Sequence, residues 1–260
     1  AQKLPTSNTE GDMSGTATGG YLADGATPGP VLKNALDFVD KSLGKLVSEL
    51  FQRGHSKDTA IIVSAKHGQS PMNPAAVNRI KDGTIIDALN AAWAMNHTGN
   101  SLVPFSVNDD GMLIWFNNQW HNDPNAALFA KNFLQNYNVP GGSVDGKDIT
   151  SAGLSQIYAG ATAAALIGVS HDDPRVPDVI GIGQYGVVYT GKKGKISEHG
   201  GGHPEDRNVP ILLVMPGVPN GSAITDPAET TQIAPTILKL LGLDTRELQA
   251  VRIEGTQPLF

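Results

Sequence analysis

Cysteine is absent from the 260 residues, which excludes disulfides, thiolate metal sites and cysteine nucleophiles. A cysteine-free chain is compatible with an oxidising compartment without requiring one. No run of about 18 apolar residues occurs, so no transmembrane helix is expected. A surplus of basic charge is also lacking: 19 Lys and Arg against 25 Asp and Glu leave a net charge of −6. Binding to nucleic acid duplexes or to anionic membranes therefore has no electrostatic support, and neither partner is expected. A small phosphate-bearing substrate is compatible with that charge, because a bound metal ion inverts the local field. The opening residues, Ala1-Gln2-Lys3-Leu4-Pro5, have neither Met nor a signal-peptide pattern, and further sequence is expected upstream of them.

What is present suits an ordinary globular α/β protein. Apolar residues make up 40% and charged residues 17%, and the length allows one large domain or two small ones. Residues 1–29 are rich in Gly, Ser, Thr and Asp and read as loop. Pro30 opens a helix in which Leu32, Leu36, Val39, Leu43, Leu46 and Leu50 form one stripe, predicted to pack on a core, with Gly54 just past its end. Thr59–Ser64 is a short β-branched run, read as a strand of a parallel sheet. Residues 73–96 read as helix, Met112–Phe116 as strand, Pro124–Tyr137 as helix and Ser155–Leu166 as a small-residue helix. Val179-Ile180 and Val187–Tyr189 read as strands, and Ala228–Leu241 as a helix ended by Gly242. The fold expected is a mostly parallel sheet with flanking helices and a small α/β insert at about residues 97–170.

Several short patterns fail in context. Gly181-Ile182-Gly183-Gln184-Tyr185-Gly186 has dinucleotide-site spacing, but a strand follows it where a helix is required. Gly186–Lys193 lacks the Ser or Thr that a phosphate loop needs after its lysine. Asn96-His97-Thr98 and Asn220-Gly221-Ser222 match a glycosylation pattern that is short enough to arise by chance. His55, His97, His121 and His171 read as exposed polar residues without organised neighbours.

Two histidine segments differ. Glu198-His199-Gly200-Gly201-Gly202-His203-Pro204-Glu205-Asp206 holds two imidazoles and three carboxylates, and runs into the apolar stretch Val209–Met215. Ala65-Lys66-His67-Gly68 lies at the carboxyl end of the first strand, where open α/β sheets bind ligands. Imidazole and carboxylate donors suit zinc or a similar divalent ion, and adjacent glycine gives clearance. Glycine-rich turns also carry histidines for no chemical reason, and the residues alone leave both readings open.

Val63–Pro71, with Lys66-His67-Gly68, resembles the Asp-His-Gly metal segment of the type I phosphodiesterase/nucleotide pyrophosphatase family, within the alkaline phosphatase superfamily. Glu198-His199-Gly200-Gly201 with Val209–Leu213 resembles its late metal histidine and following strand, and Thr231–Leu238 with Gly242-Leu243 resembles its C-terminal helix. Gly20-Tyr21 and Asp24 before the long helix are similar to the segment bearing an aspartate ligand. The resemblance implies a two-metal esterase centre acting on phosphodiesters or nucleotides, with zinc as the expected ion and a periplasmic or secreted location. On that basis His67 ligates the nucleophile-side metal, while His199 and Asp24 ligate the other.

Three positions depart from the pattern. Lys66 stands where the family has an aspartate; an ammonium cannot bind a cation, so it either stabilises a phosphate oxygen or is a surface lysine at a strand end. Pro28 occupies the place of a histidine four residues after Asp24, and His203 is the candidate replacement. The family's first aspartate and its Ser/Thr nucleophile fall upstream of these residues, so the chain is expected to be the C-terminal part of such a domain. Sulfatase or phosphotransferase chemistry on the same scaffold, and a non-catalytic phosphate-binding module, are the rival expectations.

Overall fold

The computed structural model describes residues 20–218, 221, 223 and 225–260. The loop expected over residues 1–29 lies outside the described residues as far as 19, as do Asn220 and Ser222 of the second glycosylation pattern. The elements run α1 (Pro30–Gln52), β1 (Ile61–Ser64), β2 (Asn78–Ile80), α2 (Asp82–Ala94), β3 (Phe105–Asn108), β4 (Gly111–Trp115) and α3 (Pro124–Asn136). They continue with β5 (Leu154–Ala159), α4 (Ala161–Leu166), β6 (Val179–Gly183), β7 (Val187–Tyr189), α5 (Pro204–Arg207), β8 (Ile211–Val214), α6 (Ile233–Leu240) and α7 (Gln249–Glu254). Two compact units result: residues up to Gly44 with His67–Asn208, and Lys45–Lys66 with the residues from Val209 onward.

The first unit is built on a four-stranded sheet of order β3-β4-β6-β5, antiparallel throughout. β4 alternates as a one-sided strand should: Met112 and Ile114 are fully buried while Leu113 is exposed. α2 presents Ile85, Leu89 and Trp93, four residues apart on one face, to the same core. α3 starts where Asp123 accepts a hydrogen bond from the Asn125 N–H and Pro124 takes the first helical position. It then buries Ala126, Ala127, Ala130 and Leu134. The second unit holds the antiparallel pair β1-β8 together with α6 and α7. There the buried Thr236 hydroxyl donates to the Gln232 carbonyl and accepts from the Leu259 N–H, tying the last residues to α6.

The α/β class is as expected; the mostly parallel sheet is not. Among the described residues only β2 and β7 pair in parallel. The turn at Asp109–Gly111 between β3 and β4 is far too short for a crossover, so that pair can only be antiparallel. Residues 73–96 do not form one helix, because Asn78–Ile80 is taken into the sheet by β7 and α2 begins only after Lys81. Ser155–Leu166 divides into β5 and α4 at Gly160, whose φ of 58° interrupts a helix. The insert at 97–170 supplies β3, β4 and β5, which complete their sheet with β6. α1 forms where expected but buries only Val31 and Leu32; Leu36, Val39 and Leu46 are exposed.

Candidate functional site

Two segments far apart in sequence are stitched together by main-chain hydrogen bonds. Ser70 and Glu198 exchange both N–H···O bonds at 2.9 Å, and the Gly68 N–H donates to the Asp206 carbonyl at 2.7 Å. A Cβ at position 68 would lie 1.9 Å from the Glu205 carbonyl oxygen, so this approach requires glycine. The Met72 N–H donates to the Glu205 carboxylate, which also accepts from the Tyr185 hydroxyl. The crossing lays the ring of His67 on that of His199, with centroids 4.1 Å apart and planes at 25°. His67 Nδ1 lies 2.8 Å from the Gly68 carbonyl, which can only accept. Nδ1 therefore carries the ring's proton in the neutral form, and Nε2 keeps a lone pair.

Asp109, from the β3–β4 turn, joins Glu198 and His199: one ligand atom from each lies within 4.8 Å of the others. Glu198 is buried and also pairs with the Lys195 ammonium. One imidazole and two carboxylates suit zinc or another divalent first-row ion, and three protein donors leave room for a further ligand. The donor set thus fits one ion.

Directly beside it lies a carboxylate pair. Asp110 and Asp206 are almost fully buried, and the Ser70 hydroxyl, also buried, reaches Asp206 Oδ2 at 3.2 Å and Asp110 Oδ2 at 3.3 Å. Asp206 Oδ2 also accepts from the His203 N–H. A Cβ on Gly201 would fall 2.6 Å from Asp206 Oδ2 and 2.8 Å from Asp110 Oδ2, so this glycine leaves space that the carboxylates fill. Burial, then hydrogen bonding to Asp206 and its charge, push the Asp110 carboxyl up to about 8. The pair ties the Asp109–Gly111 turn to the 198–206 loop, and so holds Asp109 near Glu198 and His199.

The other expected ligands have different surroundings. Asp24 is exposed, and its carboxylate accepts from the Thr27 hydroxyl and from the N–H groups of Ala26 and Thr27. Those bonds, the hydroxyl's first, hold it well below the usual carboxylate range, at about 2. His203 precedes α5, with Nε2 3.2 Å from the Gly183 carbonyl and its ring edge-on to Tyr185 at 5.3 Å. Lys66 is exposed, and Pro28 bridges to Tyr21. Sequence reasoning passes over Asp109, Asp110 and Ser70, because Asn108-Asp109-Asp110-Gly111 carries the composition of an ordinary turn.

The family model described as type I phosphodiesterase/nucleotide pyrophosphatase matches residues 9–206. Among solved structures, human ectonucleotide pyrophosphatase/phosphodiesterase 5 aligns with a TM-score of 0.58 and 12% identity, over 86% of this chain and 51% of that one. The murine protein of the same name gives 0.56 and 14%, over 83% and 49%. An inactive form of the murine protein in complex with AMP gives 0.55. The chain thus spans about half the length of these proteins, and at such identities the likeness establishes an alkaline-phosphatase-like fold. No curated protein matches the chain by sequence.

Proposed function

We propose a function on one premise: the chain belongs to the type I phosphodiesterase/nucleotide pyrophosphatase family. The protein is a metal-dependent hydrolase of phosphate esters, acting on phosphodiesters or nucleotides. The observation that carries this reading is the crossing of the two histidine segments, which gathers Asp109, Glu198 and His199 and sets His67 against them. These residues hold a divalent ion, zinc by the chemistry of the donors. Such an ion supplies Lewis-acid stabilisation of charge on the phosphoryl oxygens. His67 offers its Nε2 lone pair to the same centre, and Lys66 contributes positive charge near the substrate's phosphate. Asp24 and His203 are the further ligands that the family pattern supplies, Asp24 held by its bonds from Ala26 and Thr27 and His203 by the contact of Nε2 with the Gly183 carbonyl. The compartment is the periplasm or the exterior. The AMP held by the murine neighbour supports a nucleotide as the ester.

Elemental analysis and turnover of bis(4-nitrophenyl) phosphate by the full-length protein test the reading. His199→Ala and Glu198→Gln should each lose bound metal and activity together. Unchanged metal content in both variants, or a wild-type protein without metal or turnover, sinks it. Nitrophenyl sulfate in a parallel assay separates the sulfatase alternative.

One observation favours a second reading. The Asp24 carboxylate accepts three hydrogen bonds within its own turn, and a lysine stands at position 66 where the family places an aspartate. A phosphate-binding protein without catalysis would bind AMP in calorimetry and leave it, and the nitrophenyl diester, intact.

A further inference from the structure

A second group of nitrogen and oxygen donors lies in the first unit, and none of its residues belongs to the cluster above. Asp178 is buried at the start of β6; its Oδ2 accepts from the Phe116 N–H at 2.7 Å and its Oδ1 faces His121 Nδ1 at 2.9 Å. An ionised carboxylate only accepts, so the proton of this contact sits on His121 Nδ1. The neutral ring then presents a lone pair at Nε2, and that nitrogen is buried with no hydrogen-bond partner. The ring of His171 lies 6.4 Å away, centroid to centroid, and its Nε2 is likewise buried and unpartnered. The carbonyl oxygen of Asn122, a residue at the positive φ of 65°, is a third buried atom without a partner. Asn122, His171 and Asp178 line a cavity of about 250 Å³, together with Asp123, Lys131 and Thr162.

Buried polar atoms are nearly always satisfied, and of these three, two belong to residues lining one cavity and the third to a ring beside His171. His121 Nε2 and Asn122 Oδ1 are lone-pair donors, His171 Nε2 is one in the tautomer with its proton on Nδ1, and the carboxylate behind His121 is the arrangement that fixes the tautomer of a metal-bound imidazole. We propose that His121 and His171, with Asn122 Oδ1 as a third donor, form a binding site for a divalent transition-metal ion of the zinc class, its remaining position open to the cavity. Two imidazoles on one tetrahedral zinc would have centroids about 5 Å apart, from metal–nitrogen distances of about 2 Å. The observed 6.4 Å is wider than that, so the ion would draw the two rings closer together.

Chelator-treated protein titrated with Zn²⁺ or Co²⁺ tests the site. The expected result is one equivalent that His171→Ala abolishes and His199→Ala leaves in place. Asp178→Asn should weaken that equivalent by about 10- to 100-fold, the usual effect of losing the group behind a ligating histidine. Long-range proton–nitrogen spectra of the imidazoles report on the folded wild type directly, and the Nε2 signals of His121 and His171 should move on adding Zn²⁺. Equal binding by wild type and His171→Ala, or Nε2 signals that stay put while metal binds elsewhere, overturns the proposal in favour of ordered water. Because His199→Ala empties only the first site, failure of the esterase centre and failure of this one give different stoichiometries.

Discussion

Gly201 sets the tolerance of the site at the residue scale. A methyl group there meets two buried carboxylate oxygens held by Ser70, so Gly201→Ala should cost about 1–3 kcal/mol in chemical denaturation, the range for forced overpacking. A cost below that of a surface substitution would show that the carboxylates can part. Asp110 predicts a pH effect of definite sign. An unfolded aspartate loses its proton near 4, whereas folded Asp110 keeps it up to about 8, so the folded state holds more protons across that interval. Stability contributed by this position therefore falls as pH rises through the interval. In chelator-treated protein, urea midpoints at pH 5 and pH 8 should differ less for Asp110→Asn than for wild type; equal differences would refute the assignment. Legibility at this scale followed the glycines. His67 and His199 stand out because glycine beside them signals close approach, and the structure stacks their rings. Asp109 and Asp110 look like turn formers, and nothing in their sequence says that the turn points inward. His121 and His171 look solvated because their partners, Asp178 and the cavity wall, come from distant chain.

Among the elements, α1 shows a periodic stripe that does not translate into burial. Its cost profile should fall along the helix: Leu32→Ala should cost about 2 kcal/mol or more as a core truncation, and Leu36→Ala or Leu46→Ala within about 0.5 kcal/mol. Denaturation midpoints of the three variants decide this, and equal costs would mean that the stripe is covered in solution. Periodicity gave α3 and β4 nearly to the residue because local pattern and tertiary role agree there. It failed at Asn78–Ile80, where three residues inside an apolar, helix-like stretch are drawn out by hydrogen bonds to β7. It failed again at β5, where Ser, Gln, Ile, Tyr and Ala suit either state and pairing with β6 decides. Strand direction was beyond reach from pattern alone, since a short β-branched run reads the same in parallel and antiparallel sheets.

For the whole molecule, the two units differ in how well their strands are protected. β6 is buried along nearly its whole length between β4 and β5, whereas β1 and β8 form a two-stranded pair with no fully buried residue. Amide hydrogen exchange should therefore reach Ile61–Ser64 and Ile211–Val214 well before Val179–Gly183. Simultaneous exchange of both sets would show that the units open as one. The hydrogen bond between Ser70 and Asp206 spans 136 positions of chain. Closing a loop of that length costs about 4 kcal/mol by polymer statistics, a cost that offsets most of what the bonds at the crossing contribute. The site is therefore expected to form once the antiparallel sheet and its two helices have drawn those ends together. The crossing is thus a late event in the folding of its unit, and a core lesion at Leu89 or Ile114, touching no residue of the site, should abolish metal retention as surely as the loss of His199.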